Sequence, residues 1–136
     1  MSLESPNLLN LDRWATDARR VNKPWGWELV WAETERYVGK VLFVKSGESL
    51  SMQFHRVKDE SWYVYSGRAK IELGDAGEAA LKEEVVSAPA FFHFPAGTVH
   101  RVTAIEDTTI IEVSTPELDD IVRLEDNYGR EGTSQP

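Results

Sequence analysis

The chain has 136 residues, with 23 aspartates and glutamates against 15 lysines and arginines, a formal net charge of −8, and no cysteine. That length fits one domain able to bury a core unaided. The missing cysteines exclude disulfide frameworks, thiolate zinc sites and iron–sulfur clusters, and the scattered basic residues lack the clustered footprint of a nucleic-acid binder. No run approaches the ~20 apolar residues of a membrane span, and the charged opening residues hold no apolar signal core. The expectation is a soluble, cytoplasmic protein with a small-molecule partner, no nucleic acid and no membrane.

Residues 1–21 read as an N-terminal extension. Leu8, Leu9, Leu11, Trp14, Ala15 and Ala18 recur at near-helical spacing and predict a short helix near 9–18. Its apolar side would need the domain or a second subunit to cover it. From Pro24 the texture turns aromatic and β-branched. In WGWELVWAE, Trp25, Trp27, Leu29 and Trp31 alternate, which predicts a strand with all four on one face, in the core or at a dimer interface. KVLFVKSG, LSMQFH, SWYVYSG, RAKIELG, VVSAPAFFHFP, TVHRVTAI and TTIIEVSTP follow, separated by turn residues. Eight or nine short strands without a helical pattern between them point to an all-β sandwich or barrel over residues 22–128. Tyr63 and Tyr65 fall on the face opposite Trp62 and Val64, outside the barrel. Edge strands and an apolar outer sheet make a homodimer the expected assembly. The polar tail 129–136, GREGTSQP, reads as disordered.

Chemistry concentrates in GESLSMQFHRVKDESWYVYSG, Gly47 to Gly67. Gln53 and His55, two apart in a strand, share a face, and Glu60 heads the next apolar run. FPAGTVHR adds His100 just after a Pro-x-Gly turn. Burying such groups without partners costs roughly 1–3 kcal/mol each, and more for the carboxylate. A bound cation would satisfy them together. Two imidazoles, a carboxylate and an amide oxygen suit zinc, iron, manganese, cobalt or nickel. The alternative without a metal is a polar network closing the barrel mouth. Two histidines and a carboxylate also describe an iron-oxygenase triad. His93, between Phe92 and Phe94, has the parity of a surface residue.

Gly47, His55, Glu60, Gly67 and Pro95-x-Gly97-x-x-His100 resemble the two motifs of the cupin family, small jelly-roll β-barrels with a metal in the mouth. KPWGWELV, KVLFVKSG, LSMQFH, ESWYVYSGRAKI, FPAGTVHRV and DDIVRLEDNYGR resemble, in order, the cupin domain of type II phosphomannose isomerases, which usually follows a mannose-1-phosphate guanylyltransferase domain. The family commonly reads His-His-His-Arg-Ala-Glu-His-Trp over His55 to Trp62, so its second cupin histidine falls on Val57. The resemblance implies a metal held by Gln53, His55, Glu60 and His100, with one divalent ion, zinc ahead of iron, manganese, cobalt and nickel. It implies aldose–ketose isomerisation of a sugar phosphate, with Arg123, Glu112 and Lys40 in substrate or proton-transfer roles. Arg123 in DDIVR resembles the active-site arginine of an Asn-x-x-Arg segment in type I isomerases. The competing readings are an Fe(II)-dependent cupin dioxygenase and a non-catalytic module binding a carbohydrate or small metabolite.

Overall fold

The computed structural model describes residues 10–77 and 80–132. Its regular elements are a 3-10 turn at Asn10–Arg13 and eleven strands: β1 Arg19–Lys23, β2 Gly26–Glu33, β3 Val38–Val44, β4 Met52–Phe54, β5 Glu60–Ser66, β6 Arg68–Asp75, β7 Lys82–Ser87, β8 Ala90–Phe94, β9 Thr98–Ala104, β10 Thr108–Ser114 and β11 Val122–Glu125. All pairings between strands are antiparallel. A six-stranded sheet runs β1-β2-β3-β10-β5-β8 and a five-stranded sheet runs β11-β4-β9-β6-β7. Among the described residues no helix is long and apolar enough to cross a membrane.

The expected helix near 9–18 is corrected. After the 3-10 turn the chain is irregular up to Arg19, and Trp14 is 65% exposed. A helix this short is marginal unless a surface covers its apolar side, and Trp14 finds none among the described residues. Residue 9 and the earlier leucines lie outside the described residues. Strand β1 starts inside the expected extension and pairs Arg19 with Val30 through Lys23 with Gly26. At the other end, residues 129–132 form a turn whose Gly132 N–H donates to the Arg123 carbonyl at 3.0 Å; residues 133–136 lie outside the described residues.

The core lies between the sheets. Trp25, Leu42, Val44, Leu50, Trp62, Val64, Ala69, Ile71, Phe94, Val102, Ala104 and Ile110 form one cluster. Strand parity explains most of them, since inward residues stand two apart. The tryptophan stripe does not follow that parity. Trp25 is buried, but Trp27 and Leu29 are half-buried, Trp31 is exposed, and Glu28 and Val30 point inward instead. Gly26 breaks the phase. It has φ +155°, and a Cβ there would lie 1.9 Å from the Phe43 carbonyl oxygen, so only glycine lets the chain switch faces between Trp25 and Trp27.

On the outer face of the six-stranded sheet, Leu29, Val41, Ile111, Tyr63 and Phe91 stand in register across five strands. Tyr63 and Phe91 pack with tilted rings, centroids 4.9 Å apart, and Tyr65 beside them is exposed. The expected outward placement of both tyrosines holds.

Candidate metal centre and its cavity

Three chain segments deliver His55, Glu60 and His100 to one point. Strand β4 ends at Phe54 and hands His55 to a loop that Asp120 holds in place: its carboxylate accepts the backbone N–H groups of Arg56 (3.0 Å), Val57 (2.7 Å) and Lys58 (2.8 Å). Glu60 opens β5. His100 sits early in β9, launched by the Pro95-Ala96-Gly97 turn, in which Thr98 N–H donates to the Pro95 carbonyl at 3.1 Å and Gly97 takes φ +89°. The Gly97 N–H donates to the His55 carbonyl at 2.7 Å, tying the two histidine segments together.

The side chains are buried, with relative exposures of 4% for His55, 2% for Glu60 and 1% for His100. His55 Nδ1–H donates to the Asp120 carbonyl at 2.5 Å, and His100 Nδ1–H to the Thr98 carbonyl at 3.0 Å. A carbonyl only accepts, so each ring proton is fixed on Nδ1 and the Nε2 lone pair faces inward. Both lone pairs meet Glu60 Oε2, at 2.6 Å from His55 and 3.3 Å from His100. Among the described residues none of these three atoms has a hydrogen-bond partner. Three electron-rich atoms facing one another in a buried site repel unless positive charge lies among them. One proton relieves one contact; a cation serves all three.

The ligand atoms of this trio lie within 4.8 Å of one another. Bonds of about 2.0–2.2 Å to a first-row ion would place neighbouring ligands roughly 3–3.5 Å apart, so the residues fit such an ion. Carbonyls holding the second nitrogen of each ring are the usual orienting partners of metal-bound histidines. Phe94 stacks on His100 at 4.5 Å and Trp62 meets it edge-on at 5.5 Å, fixing the ring.

Around this point lies a cavity of about 300 Å³, whose lining includes Gln53, His55, Glu60, Lys40, Glu112 and Arg123. Six of the seven residues singled out in the sequence thus face one space, and the seventh, His100, is buried behind it. Registry places them. Gln53 stands opposite His100 on one side and Arg123 on the other; Glu112 stands opposite Lys40 and Trp62. Gln53 Oε1 accepts from Ser51 Oγ at 2.6 Å. Trp62 Nε1–H donates to both Glu60 Oε1 (2.9 Å) and Glu112 Oε1 (3.2 Å), so one indole spans two buried carboxylates.

Electrostatics separates those carboxylates. Burial pushes Glu60 up, but the close approach of the His100 and His55 rings and the positive charge of Lys58 outweigh it and hold the carboxyl well below its ordinary range. Burial and the neighbouring charge of Glu60 raise Glu112, against Lys58 and Lys40. Lys58 Nζ sits 3.3 Å from Glu112 Oε2; burial lowers the lysine, yet Glu112 and Glu60 raise it above its ordinary value.

Val57, the expected position of a second cupin histidine, is 66% exposed and faces away from the cavity. The inward spacing is Gln53-x-His55 followed by Glu60, as strand parity requires. His93 is exposed, as expected, and meets Asp59 at 2.6 Å. Sequence reasoning missed Lys23, Glu28, Lys58 and Arg130, which also line the cavity, and the role of Asp120. Gly26 was the available signal for Glu28: a phase break there turns the even-numbered residues of β2 inward. Asp120 gave none, since its partners lie more than 60 residues away.

Residues 11–126 match the family described as mannose-6-phosphate isomerase C-terminal. The chain is 36% identical over 118 residues to mannose-1-phosphate guanylyltransferase 2 of Escherichia coli O157:H7, covering 83% of this chain and 23% of that protein. It is 37% identical over 121 residues to the xanthan biosynthesis protein XanB of Xanthomonas campestris pv. campestris (strain B100), covering 85% and 25%. The chain therefore spans about a quarter of the length of these relatives. Among solved structures it resembles the capsular polysaccharide assembling protein CapF of Staphylococcus aureus (TM-score 0.72, 20% identity, 84% of this chain and 33% of that one). It also resembles KdgF of Halomonas sp. (TM-score 0.61, 24% identity, 76% and 91%). The fold is a cupin fold, and the chain belongs to the mannose-6-phosphate isomerase C-terminal family.

Proposed function

We propose that the chain catalyses metal-dependent aldose–ketose isomerisation of a sugar phosphate of the mannose 6-phosphate type. The observation that carries the reading is the convergence of His55 Nε2, Glu60 Oε2 and His100 Nε2 beside a cavity that also holds a second buried carboxylate, Glu112, and several cations. The family description supports the substrate class.

His55, Glu60 and His100 hold the ion, with the Gln53 amide oxygen as the fourth protein ligand and zinc as the first expectation among zinc, iron, manganese, cobalt and nickel. When bound, the ion supplies Lewis-acid polarisation of the sugar's carbonyl and adjacent hydroxyl oxygens. Glu112 moves the proton between the two neighbouring carbons. Its raised carboxyl is suited to giving a proton back as well as taking one. Lys58 and the Trp62 indole hold Glu112 in place, while Lys40 and Arg123 bind substrate oxygens.

Purified protein supplied with each of the five metals and mannose 6-phosphate should form fructose 6-phosphate. Silence across the panel defeats the reading, and oxygen uptake with Fe(II) in its place would put a dioxygenase first. Glu112→Gln should lower kcat by about 10²–10⁴ while the bound metal stays at wild-type stoichiometry.

A further inference from the structure

We propose that Lys23, Lys40, Arg123 and Arg130 form the subsite for the substrate's phosphate group, distinct from the metal ligands within the same cavity. The inference rests on the sugar-phosphate reading above, and its test separates the two.

The four cations reach one cavity from four places: Lys23 from β1, Lys40 from β3, Arg123 from β11 and Arg130 from the turn after it. Lys23 and Lys40 have side-chain exposures of only 7% and 12%. Glu28 lies between them, 3.9 Å from Lys23 Nζ and 3.4 Å from Lys40 Nζ. Ammonium groups are strongly hydrated, and removing two from water against one carboxylate is costly. The first of these distances is too long for a hydrogen bond. In a chain of net charge −8, a local excess of cations inside a cavity calls for an anion.

Arg130 is aimed rather than mobile. Its Nε and Nη2 donate to Asp126 Oδ2 and Oδ1, both at 3.0 Å, and its backbone N–H donates to Oδ2 at 2.8 Å. The turn is secured by Tyr128, whose hydroxyl donates to Glu48 Oε1 at 2.6 Å. The four cations share one field: burial lowers Lys23, Glu28 opposes this, and Lys40, Arg130 and Arg123 lower it further. A phosphomonoester, carrying about −1.5 to −2 at neutral pH, would remove that mutual repulsion, and planar guanidinium groups suit its oxygens.

The test is calorimetric titration of the purified protein in EDTA, so that no phosphate–metal bond contributes, with mannose 6-phosphate, inorganic phosphate, mannose and a hexuronate. Both phosphate compounds should bind at millimolar concentration and mannose should not. Lys23→Met and Arg130→Met should each weaken mannose 6-phosphate binding by about tenfold or more. Because Arg130→Met also breaks the Asp126 contact, Arg130→Lys and a thermal melt accompany it; among the described residues Lys23→Met loses only a long contact to Glu28. Absence of phosphate binding, equal binding of mannose, or unchanged affinity in both folded variants would overturn the proposal, and tighter binding of the hexuronate would reassign the subsite to a carboxylate. Phosphate binding without isomerisation would leave the subsite standing and sink the isomerase reading; isomerisation of mannose and mannose 6-phosphate with equal KM would do the reverse.

Discussion

Two ends of one interior, built from the same strands, differ at positions only two residues apart. Strand β3 gives Leu42 to one end and Lys40 to the other; β5 gives Val64, then Trp62 and Glu60; β9 gives Val102 and His100; β10 gives Ile110 and Glu112. All of these face inward except that Lys40 is only partly enclosed. The apolar end is nearly solvent-free, with Val64, Val102 and Ile110 at 0% exposure, and burial of that kind is what holds a small β domain together. The polar end contributes desolvation cost instead. The contrast teaches that β pleating, which puts every second residue inside, lets one sheet register supply a core and a site without any separate scaffold. Substitutions at the two ends should therefore separate stability from chemistry.

The sharpest separation comes from the polar end. His55→Ala, Glu60→Gln and His100→Ala should each remove the bound metal, read by elemental analysis, and abolish isomerisation, while metal-free Glu60→Gln, which leaves no cavity, melts no lower than metal-free wild type. A large drop in the melting point of metal-free Glu60→Gln would mean the trio is a structural network. At the apolar end, Ile110→Ala should cost about 2–5 kcal/mol in denaturant unfolding and leave the metal-to-protein ratio of the folded protein unchanged.

A smaller effect tests the loop between the ends. Asp120→Ala removes the acceptor for three backbone N–H groups and loosens the carbonyl that fixes the His55 tautomer. Metal affinity should fall about 10- to 100-fold, the usual cost of losing an orienting partner; unchanged affinity in a metal titration would show that the loop holds itself.

Acid should act through the C-terminal turn. Burial raises the Asp126 carboxyl, but its hydrogen bonds from Arg130 prevail and hold it below the ordinary value of 3.8. A carboxyl depressed in the folded state stabilises fully above that ordinary value, and the contribution is lost as pH falls through the folded pKa. Stability should decline below about pH 4, and Asp126→Asn, less stable at neutral pH, should show a shallower decline. A parallel pH profile for the variant would contradict this. The smallest effect belongs to Val57→His: an exposed histidine at this position should change neither metal stoichiometry nor stability by more than about 0.5 kcal/mol.

Much of this was legible in the sequence because strand alternation is a local signal. Gln53-x-His55, Glu60 before Ser61-Trp62, and Pro95-x-Gly97 before His100 each declare a face or a turn within a few residues. The second tier was not. Glu28 was hidden by the tryptophans of β2, whose apparent stripe is split by Gly26. Lys23 and Arg130 reach the cavity only because β1 pairs with β2 and because Asp126 and Tyr128 fold the turn after β11 back on the domain. The helix expected near 9–18 rested on apolar spacing alone, and spacing without a surface to bury it does not make a helix stable.

The central claim is that a divalent ion belongs among His55 Nε2, Glu60 Oε2 and His100 Nε2. Anomalous diffraction from crystals grown with zinc measures this directly. The account predicts one strong peak at about 2.0–2.2 Å from all three atoms, with the Gln53 amide oxygen turned toward it. A map with no peak there, with zinc bound elsewhere or not at all and the three side chains unchanged, would contradict it.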